Sequence, residues 1–458
     1  MLGKLALPAN YFTLKKIVSL KRIILATFLF CGALLCHPSA SYHIDKVTDR
    51  GTLRVIGIAS PTTFLPHGDA GTRGLQYELL RKFAEELKLK LEIEQAPNAE
   101  AVVRALRAGK ADIGITGLAS RDPRLKSVLT SAPYLQEQQQ LVGRYNNPIT
   151  LENSQIAVSN NSIEQLQVQN IEPNAEIISI PNATPDLLLT KLLDGSADYA
   201  VLNKAEFEAR RAAFPELQAK ETLTDIKLSW ALRPKDQHLL KLANYFLQQS
   251  STDGTLQRLT RFYSQGETFN SLGVKTFQRD MQARLPLYQH KFEQQADKHN
   301  IDWRLLAAIG YQESKWNANA ISPTGVAGLM MLTQSTAKEM GISNRQNPTQ
   351  SIEAGAAYYQ LMTQKFAKTV REPDRTWMAL AAYNMGYGNI VKAQKITQQM
   401  GNDPSKWLDV SRHLRQLPRA GQALVYVQEV RRYYDALLLT SHKQTWVASI
   451  DKRQNAVQ

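Results

Sequence analysis

Gly51-Thr52-Leu53-Arg54-Val55-Ile56-Gly57-Ile58 is the first regular stretch of the chain. A short β-branched, apolar run bounded by glycine predicts a buried strand. Toward the C-terminus, Gly74 opens a helix in which Leu75, Leu79, Leu80, Phe83 and Leu87 recur at helical spacing. A second helix, Glu100 to Ala108, closes at Gly109 and feeds the strand Ala111-Asp112-Ile113-Gly114-Ile115. This alternation of strands with amphipathic helices continues to about Gln265 and predicts an α/β domain. Beyond it the pattern is helical. The polar connector Ser264 to Thr276, with Gly266 and Gly273, marks the change.

At 458 residues the chain exceeds one ordinary hydrophobic core. The division expected is a signal peptide at 1–41, an α/β domain at 42–265, a linker at 266–279, an all-α domain at 280–441 and a polar tail at 442–458. The signal rests on Lys4, Lys15, Lys16, Lys21 and Arg22, with no acid among them, followed by an apolar run from Ile23 to Cys36. That run is short of the roughly 20 residues a spanning helix needs. Cleavage is expected near Ala40 or Ser41, with an uncleaved N-terminal anchor as the alternative. Both cysteines, Cys31 and Cys36, fall inside the segment, so a processed chain holds no disulfide. Leu35, where a small residue would be needed, argues against a lipid on Cys36.

The formal net charge is +14, and from Asn270 onward 24 Lys and Arg stand against 14 Asp and Glu. An exported basic chain suits an anionic partner such as cell-wall polymer or a lipid surface. Nucleic acid is disfavoured by the export signal and by the lack of a dense basic stripe with interleaved aromatics. The eight histidines show no metal-ligand spacing such as HExxH, and there is no phosphate-loop signature. No metal or organic cofactor is expected.

The chemistry-bearing stretch is Asp302 to Glu313. Asp302 is placed to cap a helix, and Glu313 lies four residues beyond Ile309 and seven beyond Leu306, on their apolar face. A carboxyl there pairs with a cation or has its pKa raised, and a raised pKa is what a general acid needs. Glu313 is the only acid between Trp303 and Lys338. Ordinary glycosidases use two carboxyl groups. If this is a glycosidase site, the second role would fall to distant Glu353, Glu372 or Asp374, or to the substrate's own groups. Trp316, Trp377 and Trp407 are candidates for stacking on sugars or for the core.

Two resemblances follow. Gly51–Val55, Gly74 with its helix, Gly109-Lys110-Ala111-Asp112-Ile113 and the later Asp194–Val201 resemble the periplasmic solute-binding proteins of amino-acid transporters, over roughly residues 46–265. That implies two lobes, crossings near Val142–Asn146 and Lys227–Leu232, and a ligand cleft. It also implies that Arg124, counted from Gly117, grips a ligand carboxylate, although an ordinary solvated loop charge fits Arg124 equally well. At the ligand-amine position the family has aspartate and this chain has Asn203, whose amide cannot balance an ammonium.

Gln312-Glu313-Ser314, Ser322–Leu332, Ala381-Ala382-Tyr383-Asn384-Met385-Gly386 and Tyr426-Val427-Gln428-Glu429-Val430 resemble, in order, the motifs of the soluble lytic transglycosylases, a branch of the lysozyme-like fold. The resemblance implies that Glu313 protonates the oxygen between N-acetylmuramic acid and N-acetylglucosamine. It then acts as base on the muramyl C6 hydroxyl, which closes a 1,6-anhydro ring. Ser314, Gly328, Met330, Tyr383, Asn384 and Tyr426 are the implied substrate contacts, with Gly325 and Gly328 admitting the glycan to the backbone and Tyr383 equally suited to the core. Many members have glutamine where this chain has Met331. The implied partners are glycan strands of peptidoglycan, stem peptides or muropeptides at the N-terminal module, and the periplasmic face of the outer membrane.

Overall fold

The computed structural model describes residues 47–455 apart from 67–70, 149–150 and 265–270. The expected signal peptide and both cysteines lie outside the described residues.

From Gly51 to Ser264 two five-stranded sheets form two lobes. In the first, β1 (Thr52–Ile58) pairs in parallel with β2 (Lys90–Ala96) and β3 (Ile113–Ile115), and the order is completed by β10 (Ala231–Leu232) and β4 (Leu129–Thr130). In the second, β6 (Gln155–Ser159) lies parallel between β7 (Glu176–Ile180) and β8 (Tyr199–Asn203), followed by antiparallel β5 (Leu135–Arg144) and β9 (Leu217–Leu228). Helices cover the sheets, which is why β1 reads as an almost unbroken apolar run with Leu53, Val55 and Ile56 all buried.

The chain leaves lobe one at Ser131–Tyr134 and returns at Ser229–Trp230. The first crossing therefore falls about ten residues before the stretch expected, Val142–Asn146. Leu141 and Val142 are buried in the middle of β5, paired with β8, so their apolar run marks a strand and not a connection. The second crossing lies where it was expected. The two segments are joined by main-chain and hydroxyl bonds: Ser131 N–H donates to the Trp230 carbonyl at 2.9 Å, and Trp230 N–H to Ser131 Oγ at 3.0 Å.

The helical part begins at Ser271, inside the stretch expected to be linker, because Val274 and Phe277 of the helix Ser271–Ala283 are core residues. It ends with a helix running from Ala420 to Asn455, through the expected polar tail. This closing helix ties both lobes to the helical domain. Asp435 meets Arg73 of lobe one at 2.7 Å, the two side chains being 4% and 1% exposed, and Arg431 reaches the same carboxylate at 2.7 Å. Leu439 completes the core of lobe two with Phe207, Phe214, Leu188 and Leu189. Removing one member of a buried ion pair typically costs about 3–5 kcal/mol, so Arg73 and Asp435 lock the docking.

Candidate active site

Asp302 caps the helix Trp303–Ser314, its Oδ1 accepting from the N–H and the Nε of Arg304, both at 2.9 Å. Leu305, Leu306 and Ile309 are buried to 2% or less and fix the helix against the core. Each contributes about 1.5–3 kcal/mol by burial. The helix stops abruptly because Lys315 and Trp316 both take φ of 54°. The Trp316 indole then donates back to the Ala307 carbonyl at 2.8 Å. Phe277, Tyr311, Trp316 and Tyr433 pack around that turn, and the acid is held where it emerges.

The Glu313 carboxyl accepts the Tyr426 hydroxyl at 2.7 Å. The residue keeps part of its surface open, yet its carboxyl is closely surrounded. Burial pushes that carboxyl up to about 7, and the Tyr426 hydroxyl opposes the rise only in part. Buried Tyr426 and Tyr383 have their hydroxyls pushed up by burial first and by the charge of Glu313 next, which places both beside the acid. Among the described residues no charged neighbour contributes to the shift of Glu313. The three distant carboxylates are engaged elsewhere. Glu353 meets Lys298 at 3.2 Å, Glu372 accepts the Thr376 hydroxyl at 2.7 Å, and Asp374 holds Arg81 at 2.5 Å and the Trp407 N–H at 2.7 Å.

The loop beside the acid is clamped by hydroxyls from three helices. Ser314 Oγ lies 2.8 Å from the Leu329 carbonyl, Tyr383 donates to the Met330 carbonyl at 3.1 Å, and Ser351 Oγ accepts the Met330 N–H at 3.1 Å. Ser314 thus directs its one proton to the main chain.

Two expectations are corrected here. Met330 is completely buried, its side chain filling the space left by Gly310 and Gly355, so it is a core residue and not a sugar contact. At Gly328 an added Cβ would sit 1.8 Å from the Arg345 carbonyl oxygen, so this glycine admits the protein's own backbone and not the glycan. Gly325, with φ of 79° and no atom within 4 Å of such a Cβ, is exposed. Asn384 presents an exposed amide at the C-terminal end of the helix Asp374–Met385. Trp316, Trp377 and Trp407 are buried core residues.

In the N-terminal module Arg124, Gly117 and Asn203 do converge, lining a cleft cavity of about 80 Å³ together with Glu164 and Glu206. Arg124 is not a solvated loop charge. Its Nε and Nη2 each donate to Asp122 at 2.8 Å, and Nη2 lies 3.6 Å from Glu164. The fork expected to hold a ligand carboxylate thus holds one from its own chain. Asn203 Nδ2 donates to the Gly117 carbonyl at 3.0 Å, joining the lobes. Glu206 joins them again, accepting the Ser60 hydroxyl at 2.7 Å and that of Thr62 while pairing with Arg210. A larger cavity of about 350 Å³ shares Gly117, Asn203 and Glu206 and reaches Tyr263 and Ser264.

Comparison with known proteins follows this division. The model of the bacterial extracellular solute-binding proteins, family 3, matches residues 53–266, and that of the transglycosylase SLT domain matches residues 290–405. A curated relative from Alcanivorax borkumensis, named membrane-bound lytic murein transglycosylase F, is 40% identical over 90% of this chain and 94% of its own length. The chain belongs to that family. Members from Ectopseudomonas mendocina and Hahella chejuensis are 36% and 33% identical, covering 88% and 93% of this chain and 86% and 90% of theirs. Within this lytic transglycosylase frame Tyr426 lies past the end of the matched SLT segment, and only the path of the closing helix returns it to Glu313.

Sequence reasoning missed four contributors. Ser351 sits one turn into the helix Pro348–Gln364 and carries no motif signal. Glu206, three residues after Asn203, lines the same cleft cavity and holds the lobes together through Ser60. Arg73 and Arg81 look like surface charges beside a solute-binding helix, yet they reach Asp435 and Asp374 in the other domain.

Proposed function

We propose that this chain, a peptidoglycan lytic transglycosylase by family, cuts the β-1,4 bond between N-acetylmuramic acid and N-acetylglucosamine with Glu313 as its single acid and base. The carrying observation is a carboxyl raised to about 7 that has a hydroxyl for a partner and no carboxylate among its influences. Protonated Glu313 gives its proton to the bridging oxygen as the bond to muramyl C1 breaks, so the N-acetylglucosamine side leaves as an alcohol. Positive charge gathers at C1 and the ring oxygen. The carboxylate just formed takes the proton of the muramyl C6 hydroxyl while that oxygen bonds to C1. The 1,6-anhydro ring closes, Glu313 is protonated again, and no water is consumed.

Tyr426 steadies the carboxylate between the two steps. Asn384 offers its amide to the sugar, while Ser314 and Tyr383 hold the neighbouring loop. A hydrolase would need a second carboxyl at about 5–5.5 Å as nucleophile or about 6.5–9.5 Å as base. Mass spectrometry of sacculus digests decides the matter. Products one water lighter than reducing-end muropeptides are expected, absent with Glu313→Gln, whereas reducing-end products alone would discard the mechanism.

The proposal extends to the domains, with a ligand-binding module at 42–265 and a catalytic domain at 280–441. The module would bind a wall-derived peptide, Arg124 exchanging Asp122 for the ligand's carboxylate. The smaller cavity, the one that Arg124 lines, is below the roughly 300 Å³ typical of a ligand site, so a ligand held by Arg124 requires the lobes to part. A ligand that prefers the parted state then biases the docked catalytic domain. Isothermal titration with a stem tripeptide should give saturable heat that is lost in Arg124→Ala. Equal heat from both proteins would remove the role of Arg124.

Export by residues 1–41 and peripheral attachment at the periplasmic face of the outer membrane complete the reading. Among the described residues no helix is long and apolar enough to cross a membrane.

A further inference from the structure

A concavity of about 120 Å³ opens where the last helix of the N-terminal module, Thr255–Tyr263, meets the helices Trp407–Leu414 and Ala420–Asn455. Arg258, Arg261, Arg412 and Arg415 line it, and no lining residue is acidic. Phe262, Trp407, Leu408 and Leu424 form an apolar wall. Arg258 donates to neutral acceptors, the Asp253 carbonyl at 3.0 Å and the Thr255 hydroxyl at 2.9 Å. Among the described residues Arg261, Arg412 and Arg415 have no ion-pair partner. Two acids approach this corner and are engaged: Asp253 with Lys82 at 3.4 Å, and Asp409 with the Asp403 N–H at 3.2 Å. Asp409 also feels the charge of Arg258.

Four arginines line one small concavity, and with no acid in the lining the local potential there is positive. The planar fork of arginine matches a pair of phosphate oxygens. A phosphate monoester carries about −1.5 to −2 charge in one compact group, more than a carboxylate can. The apolar wall suits the body to which such a group is attached. Leu424 and Gln428 lie two residues either side of Tyr426, on the opposite face of its helix, so the pocket is separate from the Glu313 site.

We propose that this arginine pocket binds a phosphate monoester or diphosphate at the joint between the two domains. Lipid headgroups and soluble phosphates share that chemistry.

Isothermal titration of the full chain with inorganic pyrophosphate reads it directly. Saturable binding that weakens with added salt is expected, and Arg412→Gln with Arg415→Gln should weaken it at least about tenfold. Both positions are exposed, as is Arg261 on another helix, where Arg261→Gln should weaken binding in the same direction. The charge-matched pair Arg107→Gln with Lys110→Gln, also exposed, should bind as the unaltered chain does. Sedimentation with phosphatidylcholine vesicles, with and without phosphatidic acid, separates the sources. Retention only with phosphatidic acid, lost in the Arg412/Arg415 variant, assigns a lipid headgroup, while pyrophosphate binding without retention assigns a soluble phosphate. Absence of pyrophosphate binding to the unaltered chain, or equal loss in both double variants, overturns the site.

Discussion

Two glutamates withdrawn from solvent, one in each half of the molecule, meet opposite company. Glu206 in the cleft is 8% exposed and pairs with a guanidinium and two hydroxyls that span the lobes. Glu313 has one tyrosine hydroxyl and, among the described residues, no cation acting on it. The same side chain is a clasp in the first setting and, in the proposed mechanism, a proton donor in the second. The difference is the cation. Burial with no cation beside it pushes the Glu313 carboxyl up to about 7.

Replacing each glutamate by glutamine tests that contrast, and the largest effect is expected at Glu313. Glu313→Gln should slow sacculus solubilisation by about 10²–10⁴-fold, the range associated with a lost general acid. Its stability should move the other way. The folded carboxyl sits near 7, against about 4.3 unfolded, so the neutral form favours folding. The stability this contributes is full below about pH 4.3 and is lost as pH rises through about 7. The amide has no such loss and should be more stable at pH 8 by up to about 4 kcal/mol in denaturant titrations. A pH-independent difference between the two proteins would contradict the desolvated acid.

Glu206→Gln should do the reverse, destabilising the fold by about 2 kcal/mol. That is less than a fully orphaned buried charge would cost, because Arg210 retains Asp186 at 3.1 Å. An unchanged unfolding midpoint would mean that the clasp contributes nothing.

The smallest expected change sharpens the catalytic side alone. Tyr426→Phe removes the one influence that lowers the Glu313 carboxyl, so the alkaline limb of the kcat/KM profile should move to higher pH. The rate should fall about tenfold with the lost hydrogen bond. An alkaline limb that stays in place would separate Tyr426 from the titration of the acid.

Much of this was legible one element at a time. The strand at Thr52–Ile58, the cap at Asp302 and the burial of the Glu313 carboxyl follow from local spacing, and the structure has all three. Met330 and Gly328 were misread for one reason. A motif marks which residues belong to a site but not whether a side chain points into the groove or into the core beneath it. The first lobe crossing was misplaced likewise, since an apolar run such as Leu141-Val142 looks the same in a central strand as in a buried connection.

By itself the amino-acid order determined the alternating and helical halves, the capped helix and the solitary acid on its apolar face, because backbone periodicity is set within a few residues. Only the tertiary structure decided what stands opposite each charge. Tyr426 reaches Glu313 from 113 residues away and Arg73 reaches Asp435 from 362. Whether a buried carboxyl ionises depends on groups within a few ångströms in space, and distance along the chain says nothing of those.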